Sequence, residues 1–225
     1  MRARLPFRAL MAPVPPVDLT ATRAALAVLD CHRFTLDPQS GFARLARERG
    51  IARELAEYYE QVDQVVPNLR TLIEAWRGKG LPVIFTRLVA DDQHAGSLSR
   101  QAGVTGFWTS PASPEAEFLP GVAPEHSDTL IDRTTVSAFA GTPLADRLRA
   151  LETRSVVVAG VLAGGAVDLT AREAADLGYS VVVASDACAA ETWTLHTLTT
   201  TMLVGALIRV RSVAAILEML DGRRT

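Results

Sequence analysis

Lysine is nearly missing from this chain. Of its 23 basic residues only Lys79 is lysine and the other 22 are arginine. Charge of one sign is also missing: 25 acidic residues leave a formal net charge of −2, so nothing in the balance calls for nucleic acid or an anionic membrane as partner. Cysteine is scarce. Cys31 and Cys188 are too few and too far apart for a zinc motif or a disulfide framework, which makes a reducing cytoplasm the default location. No long hydrophobic run occurs either. The longest stretch without charge or strong polarity, Val156–Val167, has 12 residues, well short of the ~20 that span a bilayer. Met1–Pro16 carries Arg2, Arg4 and Arg8 but is interrupted by Pro13, Pro15 and Pro16; it reads as an N-terminal arm and not as a signal peptide.

What is present is an ordinary globular composition: 225 residues, 48% hydrophobic and 21% charged. That length and balance suit one domain with a full core, expected over residues 20–225 behind an arm of residues 1–19. Short apolar, β-branched runs mark strands at Ala24–Leu29, Leu81–Arg87, Thr129–Ile131, Ser155–Gly160, Ser180–Ser185 and Val210–Val213. Runs apolar on both faces fit a parallel sheet. Between them lie helical patterns. Val62, Val65, Val66, Leu69, Leu72, Ile73 and Trp76 follow one helix face, with a kink or restart expected at Pro67 and a stop at Gly78 and Gly80. Further helices are expected at Pro143–Leu151, Ala166–Leu177, Thr192–Leu207 and Ala214–Leu220. The alternation predicts an α/β fold: a three-layer, open, mainly parallel sheet of about six strands with helices on both faces. Ala90–Pro124 has little periodicity, and so long a loop is usually functional.

Ligands of open α/β sheets bind at the carboxyl ends of the strands. That rule selects Asp30-Cys31-His32, Thr86-Arg87, Arg133 and Gly160–Ala166. A carboxylate closing an apolar strand needs a cation or donors, and Arg133 is the available cation. Gly160-Val161-Leu162-Ala163-Gly164-Gly165-Ala166 joins a strand to a helix whose first N–H groups suit developing negative charge. It is neither a Walker loop, lacking Gly-Lys-Ser/Thr, nor a dinucleotide fingerprint, so no nucleotide cofactor is implied. Asp91, Asp92 and His94 give an Asp-x-His pattern without a second histidine nearby, which reads as a solvated loop and not as a metal site.

Together these segments resemble the isochorismatase-like hydrolases, the cysteine hydrolase superfamily. The resemblance is carried by Ala27-Val28-Leu29-Asp30, Pro82–Arg87, Ile131–Phe139 with Gly141–Leu144, Gly160-Val161, Thr170–Ala174, Gly178-Tyr179 and Ser185–Cys188. Tyr58-Tyr59 ahead of the long helix is closer to the ureidoacrylate-type amidohydrolases. The resemblance implies an Asp that takes a proton from a cysteine thiol, a Lys that holds the charged state, and a thiolate attacking an amide or ureide carbonyl. It also implies a cis Val161–Leu162 peptide. Asp30 matches. Arg133 stands at the Lys position, Ala166 at the Cys position, and His32 where Gln is usual. Arg is a larger, planar donor than Lys, and a methyl group is no nucleophile.

Three readings of Ala166 stay open: thiol-free hydrolysis, as in true isochorismatases that cleave a vinyl ether; an engineered replacement of cysteine; or loss of hydrolysis with the pocket kept for ligand binding. Candidate catalytic residues are Asp30, Arg133 and Ala166. Candidate substrate contacts are His32, Arg87, Trp108, Phe139, Val161, Leu162 and Gly165, with Phe107 beside Trp108 either covering a substrate or packing. Trp193, Met202 and the nearby leucines read as core or subunit contact, so the expected partners are a small-molecule substrate or ligand and further copies of the chain, as a dimer or tetramer.

Overall fold

The computed structural model describes residues 10, 17–20, 23–90, 95–204 and 207–222. Six strands form one sheet: β1 Ala24–Leu29, β2 Val83–Leu88, β3 Thr129–Arg133, β4 Ser155–Val161, β5 Ser180–Ala189 and β6 Ile208–Arg211. Their order is β3-β2-β1-β4-β5-β6, and every pairing is parallel. The chain therefore winds outward from the centre in both directions, and the switch lies between β1 and β4. A crevice opens at the carboxyl ends of these two strands.

The period of two divides β1 between two cores. Ala24, Leu26 and Val28 pack on the side of helices α3 (Ala56–Gly78) and α8 (Val213–Leu220). Ala25, Ala27 and Leu29 face helices α5 (Leu144–Ala150) and α6 (Asp168–Asp176). The layers are thus helix, sheet, helix. Val17 and Leu19 pack into the α3 core, and Ser155 Oγ donates to Asp18 O at 3.1 Å. The Asp91, Asp92 and His94 pattern lies outside the described residues.

Several elements differ from their expected limits. Helix α3 runs unbroken through Pro67. One proline removes a single N–H donor, and a helix this long keeps its register on the buried stripe of Tyr58, Val62, Val65, Leu69, Leu72, Ile73 and Trp76. Two further helices have no clear sequence pattern, α1 (Arg33–Leu36) and α2 (Gly41–Glu48); α2 is short and buries Gly41, Phe42, Ala43 and Ala46. The long loop carries a helix of its own, α4 (Arg100–Thr105), capped by Ser99, whose Oγ accepts from Ala102 N at 3.2 Å. Helix α7 (Trp193–Met202) is shorter than its pattern, and β6 ends before Ser212, which caps α8 instead.

Candidate active site

The site begins with a break in β1. Asp30 follows Leu29 with φ 52°, a left-handed conformation that Asp tolerates better than most side chains. Its N–H still bonds Thr86 O at 2.9 Å, so the break redirects the side chain without releasing the backbone from the sheet. Asp30 Oδ1 accepts from Leu88 N at 2.8 Å. Asp30 Oδ2 accepts from Arg133 Nη2 in a direct ion pair. Arg133 enters from the end of β3, reaches past β2, where its Nε donates to Thr86 Oγ1 at 3.3 Å, and also donates to Thr135 O. Its side chain is completely buried and that of Asp30 is 10% exposed. A charge pair this dry is tolerated because both Asp30 oxygens and all three Arg133 nitrogens have at least one hydrogen-bond partner each.

The third wall comes from β4. Gly160 has φ 121°, and a Cβ there would stand 2.1 Å from Leu29 O, so only glycine lets β4 close against β1 at this point. The Val161–Leu162 peptide is cis. One π-helical turn, Ala163–Val167, then leads into α6. Gly165 N and Val167 N both donate to Leu162 O, at 3.0 and 3.3 Å. Ala166, on this turn, puts only a methyl group where the family resemblance expects a thiol.

Asp30, Arg133, Val161, Leu162, Gly165 and Ala166 line one cavity of about 390 Å³. Phe107, a candidate cover in the sequence, lines it as well, while the sequence missed Thr35 from α1, Phe42 from α2, Gln101 and Thr105 from α4, Glu191, and Leu195 and Thr199 from α7. For Phe42, the i, i+3, i+4 spacing of Phe42, Leu45 and Ala46 was the available signal. Nothing local marks the others, because they meet only when α1, α4 and the segment Glu191–Thr199 converge.

Other expected contacts lie elsewhere. Arg87 pairs with its register partner Asp132 (Nε–Oδ1 2.5 Å) and donates to Ala116 O at 2.8 Å; being next to Thr86 on β2, it takes the opposite face. Phe139 is buried in the α5–α6 core, its ring 6.4 Å from that of Tyr179. Trp108 is half-buried outside the cavity lining, while its neighbour Phe107 turns in. His32 is 1% exposed, off the cavity, between the rings of Phe34 and Phe118, and neither ring nitrogen has a hydrogen-bond partner among the described residues.

Cys31 and Cys188 are no replacement for the thiol. Both are fully buried, and burial pushes the Cys188 thiol up to about 12 and the Cys31 thiol well above its ordinary value. Cys31 packs into the α3-side core and donates to Leu29 O at 3.3 Å.

Burial also lowers the His32 pKa, against the pull of Asp30 and with the help of Arg87 and Arg133. The unfolded imidazole takes a proton near pH ~6.5, and the folded one only below that. Stability should therefore be complete above the unfolded value and fall as pH drops through it. We expect the melting temperature to decrease between about pH 7.5 and about pH 5.5, and His32→Gln to flatten that decrease. Thermal melts across this range check it; an unchanged slope in His32→Gln assigns the pH dependence to other groups.

These elements belong to a known architecture of hydrolytic proteins. The chain is a member of the isochorismatase family: residues 34–215 match the Isochorismatase domain model. It is 29% identical to the uncharacterized isochorismatase family protein YecD of Escherichia coli O157:H7, over 91% of this chain and 100% of that protein. It is 28% identical to the N-carbamoylsarcosine amidase of an Arthrobacter species, over 54% of this chain and 48% of that one. The fold matches a crystal structure of a cysteine hydrolase from Pseudomonas syringae pv. phaseolicola with a TM-score of 0.77, at 18% identity, over 94% of this chain and 98% of the other.

Proposed function

We propose that this chain is a hydrolase of small molecules that cleaves an amide or ureide C–N bond without a protein thiol. The observation that carries this reading is the shared cavity of Asp30, Arg133 and Ala166. A methyl group in place of a thiol leaves room for water beside the Asp30 carboxylate. Each carboxylate oxygen already accepts one hydrogen bond and keeps a further lone pair for that water. Asp30 then acts as the base that takes the water proton, and hydroxide attacks the carbonyl held against the turn at Gly164–Ala166; the tetrahedral intermediate collapses with cleavage of the C–N bond as the proton on Asp30 passes to the leaving nitrogen. An ion pair with Arg133 is made by the carboxylate form, which suits a base and opposes the acid role that vinyl-ether cleavage demands. Relatives with amidase names support the same bond type: the Arthrobacter protein above, and the ureidoacrylate amidohydrolase RutB of Acinetobacter baylyi, 26% identical over 55% of this chain.

The test is product release from a panel of small amides, ureides and vinyl ethers. Amide or ureide turnover that falls by roughly 10²–10⁴ in Asp30→Asn supports the reading. Vinyl-ether turnover in its place reverses the role of Asp30. The absence of turnover throughout favours the second reading, a ligand-binding protein, whose support is the absence of a thiol at Ala166.

Self-association is part of the same proposal. Helix α7 has no buried residue and no charged one, and Trp193, Leu195, Leu198 and Met202 are exposed along it. An uncharged apolar face can meet its own copy across a twofold axis without like-charge repulsion. Light scattering should show a dimer or larger, and Leu198→Glu should shift it to monomer with its melting temperature kept. A monomeric parent at micromolar concentration overturns this.

Among the described residues no helix is long and apolar enough to cross a membrane, and no three His, Cys, Asp or Glu side chains cluster to hold a metal ion.

A further inference from the structure

A second cavity, of about 380 Å³, adjoins the first. It lies between α2, the 3₁₀ turn Ala52–Leu55 and the start of α3. Leu45, Ala46, Leu55 and the Tyr58 ring make its walls apolar. The Tyr58 hydroxyl is already spent on Thr35 O at 3.0 Å, so only the hydrocarbon of that ring is on offer. Phe42, Phe107, Leu162 and Glu191 line both cavities, which are therefore parted by single side chains. The partition is an edge-on aromatic pair, Phe42 and Phe107, with centroids 4.8 Å apart. Phe42 is 9% exposed and fixed in the core; Phe107 is 36% exposed, on the loop after α4, and is the one free to give way.

Charge restricts the occupant further. Asp30 and Arg133 neutralise each other, and the remaining charged residue lining the first cavity, among those described, is Glu191. Arg49 and Glu54, at the second cavity, are exposed and of opposite sign. Among the described residues no unpaired cation lines the first cavity, and the second presents a mainly apolar interior.

We propose that the substrate is an uncharged amide or ureide bearing an apolar alkyl or aryl substituent. Its polar head lies between Asp30 and Ala166, and its tail passes Phe107 into the second cavity. This rests on the reading of the first cavity as the small-molecule site, and it is tested by equilibrium binding, which does not depend on turnover.

Calorimetric titration with acetamide, butanamide, pentanamide, hexanamide and 3-phenylpropanamide should show affinity rising two- to roughly fourfold per methylene buried. Succinamate, close in size to pentanamide but anionic, should bind at least about tenfold more weakly, the cost of placing a carboxylate among apolar walls. Ala46→Leu, which fills the second cavity, should remove the gain from the longer tails and leave acetamide unchanged. If that variant does not fold, the series on the unaltered chain decides alone. A flat series, or succinamate binding as well as pentanamide, overturns the proposal even where amides are hydrolysed. A graded series without any turnover upholds the second cavity and overturns the hydrolase reading.

Discussion

Replacing Arg133 by alanine is expected to lower the melting temperature by roughly 10 °C. The guanidinium is fully buried and is the direct partner of the Asp30 carboxylate. Removing it leaves a charge in a nearly dry site with only the Leu88 N–H and whatever water enters. Breaking a buried pair from one side costs about 3–5 kcal/mol. For a domain of this size each kcal/mol is worth roughly 2–4 °C. The control is the double variant Asp30→Asn with Arg133→Gln, which removes both charges and keeps polar groups that can bond each other. It should recover most of the loss, because the cost in the single variant is an orphaned charge and not the absence of an attraction. Calorimetry of the parent, Asp30→Asn, Arg133→Gln and the double closes the cycle, with Arg133→Ala measured beside it. A single Arg133→Ala variant that melts within about 2 °C of the parent would mean that the pair does not organise the pocket.

The second large effect concerns Ala166. Placing cysteine there puts a thiol on the first turn of a helix, where the N–H groups and the dipole favour thiolate. The parent has no competing thiol, since burial holds both native cysteines protonated. We expect Ala166→Cys to be alkylated by iodoacetamide at one site, while the parent is not alkylated in its folded state. The rate at neutral pH should exceed that of an ordinary exposed cysteine by roughly threefold: a lower pKa raises the thiolate fraction more than it lowers intrinsic nucleophilicity. Adding Arg133→Lys restores a compact cation beside Asp30. That double variant should cleave amides through an acyl-enzyme visible as a mass increase, an intermediate that water-based hydrolysis in the parent does not form. An introduced thiol that reacts no faster than an exposed one would show that the turn no longer has the geometry of a nucleophile site.

Much of this was legible from residue order. Valines and isoleucines in short apolar runs belong in buried strands, and β1, β4 and β5 fell where those runs lie. Asp30 and Arg133 could be paired on paper because both close strands of one parallel sheet. The contacts expected of Arg87 and Phe139 show where that reading stops. Arg87 sits one step from Thr86, which contacts Arg133, and one step along a strand reverses the direction of a side chain; Phe139 lies three residues past the cavity residue Val136 and turns into the α5–α6 core.

The sequence by itself determined the α/β class, the strand-end positions of Asp30, Arg133 and the glycine turn, and the absence of a thiol at residue 166. These follow from local patterns: a period of two or 3.6, a charge at the end of an apolar run, glycine where no Cβ fits. Tertiary structure alone decided that Asp30 and Arg133, 103 residues apart, touch directly, and that His32 is buried off the cavity without a hydrogen-bond partner for its ring among the described residues. It also decided that Phe42, Phe107, Leu195 and Thr199 complete the cavity wall and that α7 is left uncovered. Those outcomes depend on the register between strands and the docking of separate loops. Contacts between distant segments are set by the packing of the whole core, and no pattern within any one segment encodes them.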